Sequence, residues 1–133
     1  MASIWDKYLT LAYKLANTDK EEYLRSAISR AYYSVFHKVK LSSGQNTKRE
    51  KVDVHKEFIS KLRNPDEKLA GKLNLSEAEI MLIGNELDEF RKTRNNADYE
   101  AFMDDISPRF VSKTLERAEL ILEILRGDYD EGN

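Results

Sequence analysis

The densest chemistry in this 133-residue chain lies in the run Arg94-Asn95-Asn96-Ala97-Asp98-Tyr99. An arginine stays charged at any working pH, and its planar fork matches two oxygens of a phosphate or a carboxylate. Asp98 stands four residues after Arg94, so it is either that arginine's internal partner or a neighbour of an anion held there. Proton transfer would fall to few groups. The chain has no cysteine and two histidines, His37 and His55. Those imidazoles are the side chains whose ordinary pKa lies near neutrality, and Tyr99 joins them if its phenol is acidified. Two histidines do not make a three-histidine metal site. A glycine-rich phosphate loop and a His-Glu-x-x-His pair are also absent, so the sequence implies neither a metal nor a cofactor.

Helical periodicity gives Arg94 its context. Ile80, Ile83, Leu87 and Phe90 recur at three- and four-residue steps, and the next position in that series is Arg94 itself. A buried guanidinium is unfavourable unless paired. The helix C-terminus favours a cation through the backbone dipole. Two readings stay open: a structural ion pair with Asp98, or an anion-binding arginine in a cleft. Arg91, one turn earlier, belongs with the second. The carboxylates Glu86, Asp88 and Glu89 point to different sides of this helix and are expected in solvent.

A second helix carries two faces. Leu24, Ile28, Ala31, Val35 and Val39 form one narrow apolar seam, while Tyr23, Arg30, Tyr33 and His37 lie opposite. Tyrosine and arginine together are the composition of an interface, although tyrosines on the rim of the same core would look alike.

The supporting elements read as five helices. The first covers about residues 3–16, with Ser3 as N-cap and Ile4, Tyr8, Leu11 and Leu15 inward. The second opens on a Thr18/Glu21 capping box and runs to about Leu41 before Ser42-Ser43-Gly44 ends it. The third covers about residues 47–63, with Val52, Ile59 and Leu62 inward, and Asn64-Pro65 stops it. A turn over residues 66–73 follows. A Ser76/Glu79 capping box starts the fourth helix, which ends near Asn95. Ser107-Pro108 opens the fifth, whose stripe is Phe110, Val111, Thr114, Leu115, Ala118, Ile121, Leu122 and Leu125, closed by Gly127. Short connections imply antiparallel neighbours, hence an all-α, up-and-down bundle. Residues 1–126 make one domain, and 127–133 an acidic tail expected to be disordered.

Composition narrows the function classes. The net charge of −2 argues against a uniformly basic nucleic-acid binder. The charge is uneven, however. Six basic residues (Lys48, Arg49, Lys51, Lys56, Lys61, Arg63) fall between positions 47 and 63, against three acidic ones. Such a helix can meet a phosphate backbone or simply be solvated. No apolar run is long enough for a membrane span, and the N-terminus lacks signal-peptide features, so the expected location is cytoplasmic.

Arg30-Ala31-Tyr32-Tyr33-Ser34-Val35-Phe36-His37, then Val54-His55-Lys56-Glu57-Phe58, then Arg94 to Tyr99, together resemble the HEPN domain family. The likeness spans about residues 5–125 and is nearest the branch encoded beside minimal nucleotidyltransferases. It implies a four- to five-helix bundle that dimerises, bringing the arginine motifs of two protomers to one cleft. In many such proteins, metal-independent ribonucleases of toxin–antitoxin or phage-defence systems, the arginine contacts the scissile phosphate, a histidine shortly after it handles protons, and the RNA 2′-hydroxyl attacks. Carried over by position, Arg94 and Asn95 match the start of that motif. No histidine follows; Tyr99 stands nearest. The catalytic candidates are thus Arg94, Asn95, Asp98, Tyr99 and His55, with Arg30, Tyr33, His37 and Arg91 as RNA- or nucleotide-binding residues. The alternative is a non-catalytic subunit that docks a nucleotidyltransferase antitoxin or another defence protein.

Overall fold

The computed structural model describes residues 3–44 and 54–129. They form six helices: α1 (Ile4–Ala16), α2 (Glu21–Ser42), α3 (Val54–Arg63), α4 (Glu67–Leu73), α5 (Glu77–Tyr99) and α6 (Pro108–Arg126). No strand occurs among the described residues. The all-α expectation therefore holds, with one helix more than the sequence indicated. The first half of the expected third helix, with Val52, Lys48, Arg49 and Lys51, lies outside the described residues, as do 130–133 of the tail. No helix among the described residues is long and apolar enough to cross a membrane.

Local signals set most helix ends. The Ser76 hydroxyl accepts the Glu79 N–H at 3.1 Å while the Ser76 N–H donates to Glu79 Oε1 at 3.0 Å, so that capping box forms as read. Ser107 Oγ accepts the Phe110 N–H at 3.0 Å ahead of Pro108, and Gly127 leaves α6 at φ 80°. The Thr18/Glu21 box does not form. Lys20 is the N-cap of α2, and Thr18 accepts the Lys20 N–H at 3.2 Å instead. The expected turn over 66–73 is α4, because the Asp66 carboxylate accepts the Leu69 N–H at 2.8 Å and caps a full helix.

Helix α2 is the centre, packed against α1, α5 and α6. Its predicted seam, Leu24, Ile28, Ala31, Val35 and Val39, is buried throughout. So are Tyr32, Ser34, Phe36 and Lys40, which makes the C-terminal half of α2 buried on most sides. Helix α3 lies against α5, where Gly84 permits the approach: a Cβ there would stand 2.9 Å from Arg63 Cγ and 3.0 Å from Leu62 Cβ.

The first helix is rotated from its expected setting. Ile4 and Leu11 are 54% and 40% exposed, and Ala12 is the fully buried residue. Two bonds from α2 hold that rotation. The Ser34 hydroxyl donates to the Trp5 carbonyl at 2.6 Å, and the Lys38 ammonium pairs with Asp6. They turn the Trp5–Leu9–Ala12 side inward, and the small Ala12 lets the two backbones come close.

Candidate functional site

Arg94 continues the inward stripe of α5 and is 8% exposed. Ile80, Ile83, Leu87 and Phe90 before it are fully buried, as the spacing indicated. The guanidinium carbon lies 5.1 Å from the ring centre of Tyr32 and 5.3 Å from that of Tyr33, so two aromatic faces hold the cation. Its Nη1 is 3.6 Å from Asp98 Oδ2, a long ion pair one helical turn away. Its Nε is buried without a hydrogen-bond acceptor. A charged donor held out of water with nothing to donate to is unfavourable, and a ligand anion would relieve it.

The turn bearing Arg94 exists because α2 holds it. The sequence stops this helix near Asn95, since two asparagines are poor helix formers, yet it runs to Tyr99. Arg25 of α2 donates from Nη1 to the Ala97 carbonyl at 3.3 Å and to the Glu100 carbonyl at 2.5 Å. Carbonyls that lack a partner at a helix end are thereby satisfied. Ser29, one turn further along α2, donates its hydroxyl to Asp98 Oδ2 at 3.2 Å. Neither residue was a candidate on sequence grounds, because both connections cross about 70 positions.

Below the guanidinium lies a cluster of rings. The Tyr32 hydroxyl is 3.0 Å from His55 Nδ1, and the His55 ring stacks on Phe36 at 4.0 Å. His37 stacks on Trp5 at 3.9 Å and stands edge-on to His55 at 6.1 Å. Burial pushes the Tyr32 phenol well above its ordinary pKa, and the nearby charges of Arg94 and Arg91 pull it only partly back. The phenol is therefore neutral at physiological pH. Which of the two donates in the Tyr32–His55 bond depends on which ring nitrogen of His55 carries the proton. Tyr32 was absent from the sequence-derived site. The spacing of Ile28, Tyr32, Phe36 and Val39 was the available signal, a second apolar stripe beside the first.

The remaining candidates divide. Arg91 sits one turn before Arg94, with Nη2 3.3 Å from Asp88 and a buried Nε without an acceptor. Tyr33 and His55 join the same cluster as Arg94, directly or through Tyr32, and His37 stacks 6.1 Å from Tyr33. Asn95 is half-buried and makes no side-chain hydrogen bond among the described residues. Tyr99 is 76% exposed, and five residues on an α-helix place it about 140° around the axis from Arg94. Arg30 is exposed over the Tyr8 ring at 5.1 Å, and Tyr8 packs edge-on against Trp5, so Arg30 stands at the far end of the ring cluster. Asp88 corrects the sequence reading: its side chain is 16% exposed and meets Arg63, Arg91 and Lys92 at 3.5, 3.3 and 3.4 Å.

No protein-family model, no curated protein and no solved structure matches the chain. The functional reading therefore stands on geometry. Two guanidiniums one turn apart, each with a buried Nε lacking an acceptor, lie near a neutral phenol and an imidazole. Each fork offers paired donors of the kind that match the oxygens of a phosphate-like anion.

Proposed function

We propose that this chain is a HEPN-like protein that binds a phosphate group of RNA or a nucleotide at a cleft centred on Arg94, with two protomers contributing to the cleft. The buried, acceptor-less Nε of Arg94 is the observation that carries the reading. Phosphate oxygens would complete the donor set that Asp98 satisfies on one side only. Arg91 adds a second positive group, and the faces of Tyr32 and Tyr33 hold the Arg94 fork in one orientation. Cleavage is the further step of this reading. The 2′-hydroxyl oxygen attacks phosphorus, the P–O5′ bond breaks, and Arg94 offsets charge on the non-bridging oxygens. His55 is the group that would relay the proton, oriented by Tyr32. Tyr99, turned away into solvent, is not given that role.

Binding of fluorescein-labelled RNA, followed by anisotropy, tests the reading. Arg94→Ala should weaken binding at least tenfold while the helical circular dichroism is retained. Arg94→Lys should recover little, because an ammonium lacks the fork and stacks poorly on the two rings. Cleavage, where measured, should persist in chelator and fall with His55→Gln. Unchanged binding by a folded Arg94→Ala protein would sink the proposal.

One observation favours a second reading. The Arg94–Asp98 pair, tied to α2 through Ser29, is also a serviceable helix-to-helix fastening. A non-catalytic subunit that docks a nucleotidyltransferase would need no more. In that case Asp98→Ala and Arg94→Ala should lower stability equally and leave RNA binding, if any, alone.

A further inference from the structure

We propose that a second copy of this chain docks antiparallel on the outer face of α5, with Tyr99 and Phe102 of each copy seated against the groove between α3 and α5 of the other. The family resemblance implies a dimer that gathers the arginines. This face lies on the side of α5 turned away from Arg94, so the contact is a separate one and does not rest on the phosphate reading.

Helix geometry defines the face. Met81, Asn85, Lys92, Asn96 and Tyr99 fall within about 60° of one another around the axis of α5. All five are exposed, whereas Arg94 packs on the other side against Tyr32 and Tyr33 of α2. Met81 and Tyr99 are about five whole turns apart, so they point one way from opposite ends of the helix. Met81 is 44% exposed, Tyr99 76% and Phe102, just beyond, 87%. The loop that carries Phe102 is anchored. Met103 is buried and its carbonyl accepts the Ile106 N–H at 3.3 Å, while the Glu100 carbonyl takes the Arg25 bond. Two aromatic rings are thus held out into solvent by a fixed backbone. Anchors set before binding lose little freedom when they are covered.

The matching recess lies at the other end of the same face. A groove of about 330 Å³ between α3 and α5 is lined by the apolar Ile59 and Met81 together with Lys56, Arg63 and Asn85. Its one acid, Asp88, already meets Arg63, Arg91 and Lys92. Charge matches as well as shape. Glu100, Asp104 and Asp105 surround the two rings, are exposed, and have no ion pair among the described residues. Lys56 and Lys61 at the groove end likewise have no carboxylate partner among the described residues. A two-fold axis repeats every contact, so antiparallel pairing meets the needs of both ends at once. Setting Met81 opposite Tyr99 also brings Lys92 of each copy beside Asp88 of the other. Two acidic loops set against each other would instead oppose like charges, which is unfavourable.

The chain has no cysteine, so introduced cysteines report pairing without background. Asn85→Cys and Asn96→Cys proteins, neither altered at an aromatic anchor, are mixed and treated with a short bismaleimide. In this register each site faces the other and not itself, so the mixture should give several-fold more linked dimer than either protein alone. Sedimentation equilibrium supplies the second measurement. The double variant Y99A/F102A, checked for helicity and thermal midpoint, should dissociate at a concentration about tenfold higher than wild type or more. High salt should weaken the wild-type association, since charge at both ends contributes to it. Linking that is no greater in the mixture than in the separate proteins overturns the proposal. So does a wild type that stays monomeric at the highest concentration reached. Association that survives unchanged in the double variant belongs to another face, such as the Arg94 side, and overturns it as well.

Discussion

Arg94 lies over the ring face of Tyr32, and the hydroxyl of that ring reaches His55. One buried tyrosine thus joins a cation to an imidazole. Tyr32→Phe keeps the ring under Arg94 and removes the hydroxyl, with its bond to His55 and its polar contact with Arg94. It should lower stability by about 1 kcal/mol and leave RNA affinity within about twofold. The ¹⁵N shifts of His55 should change, because Nδ1 loses its bond to the phenol. Unchanged shifts would show that the phenol does not bond to that ring.

Arg25 fastens the end of α5 to α2 through two carbonyls. Arg25→Ala should cost about 1–3 kcal/mol, in the range for removing hydrogen bonds made by charged groups. Hydrogen exchange should quicken first at residues 96–100. Uniform loss of protection along α5 would contradict a role confined to the helix end.

Gly84 fixes how near α3 comes to α5. Gly84→Ala gains helix propensity but drives a methyl group against Leu62 and the Arg63 backbone, so overpacking should win by about 1–3 kcal/mol. A urea-unfolding midpoint at or above wild type would show that α3 can yield.

Two carboxylates set the acid limit of the fold. The Lys38 bond and the Ser3 backbone N–H hold Asp6 below its ordinary pKa. For Asp88, burial pushes upward, but bonds from Arg91 and Lys92 outweigh it and the net shift is down. Depressed native values mean stability that is full above the ordinary carboxylate range and fades as pH drops through the lowered values. Thermal midpoints should therefore fall between about pH 5 and pH 2. Asp6→Asn should flatten the steepest part of that fall, and an equally steep profile in the variant would remove Asp6 from the account.

The sequence showed those features whose cause is local. The Ser76/Glu79 box, the Ser107-Pro108 start and the Gly127 stop each depend on residues a few positions apart, and each forms as read. Arg94 was legible because it broke a regular stripe. The rotation of α1 was not, since Ser34 and Lys38 decide it from another helix. The last turn of α5 escaped for the same reason: Asn95 and Asn96 argue locally for a stop, and Arg25 overrules them from α2. Tyr32 was hidden by its neighbour Tyr33, which the helical wheel placed on the more conspicuous face. Asp88 looked solvated because its three cations come from both α3 and α5.

The Arg25 and Ser29 fastenings have a consequence in time. They join positions more than 65 residues apart, so the setting of Arg94 is a product of long-range closure and not of any one helix. A chain still emerging from the ribosome holds its tyrosines and His55 well before it holds Arg94, and the cation finds its rings only once α5 is made and docked. The half-made protein therefore lacks the paired arrangement of Arg94 and its rings.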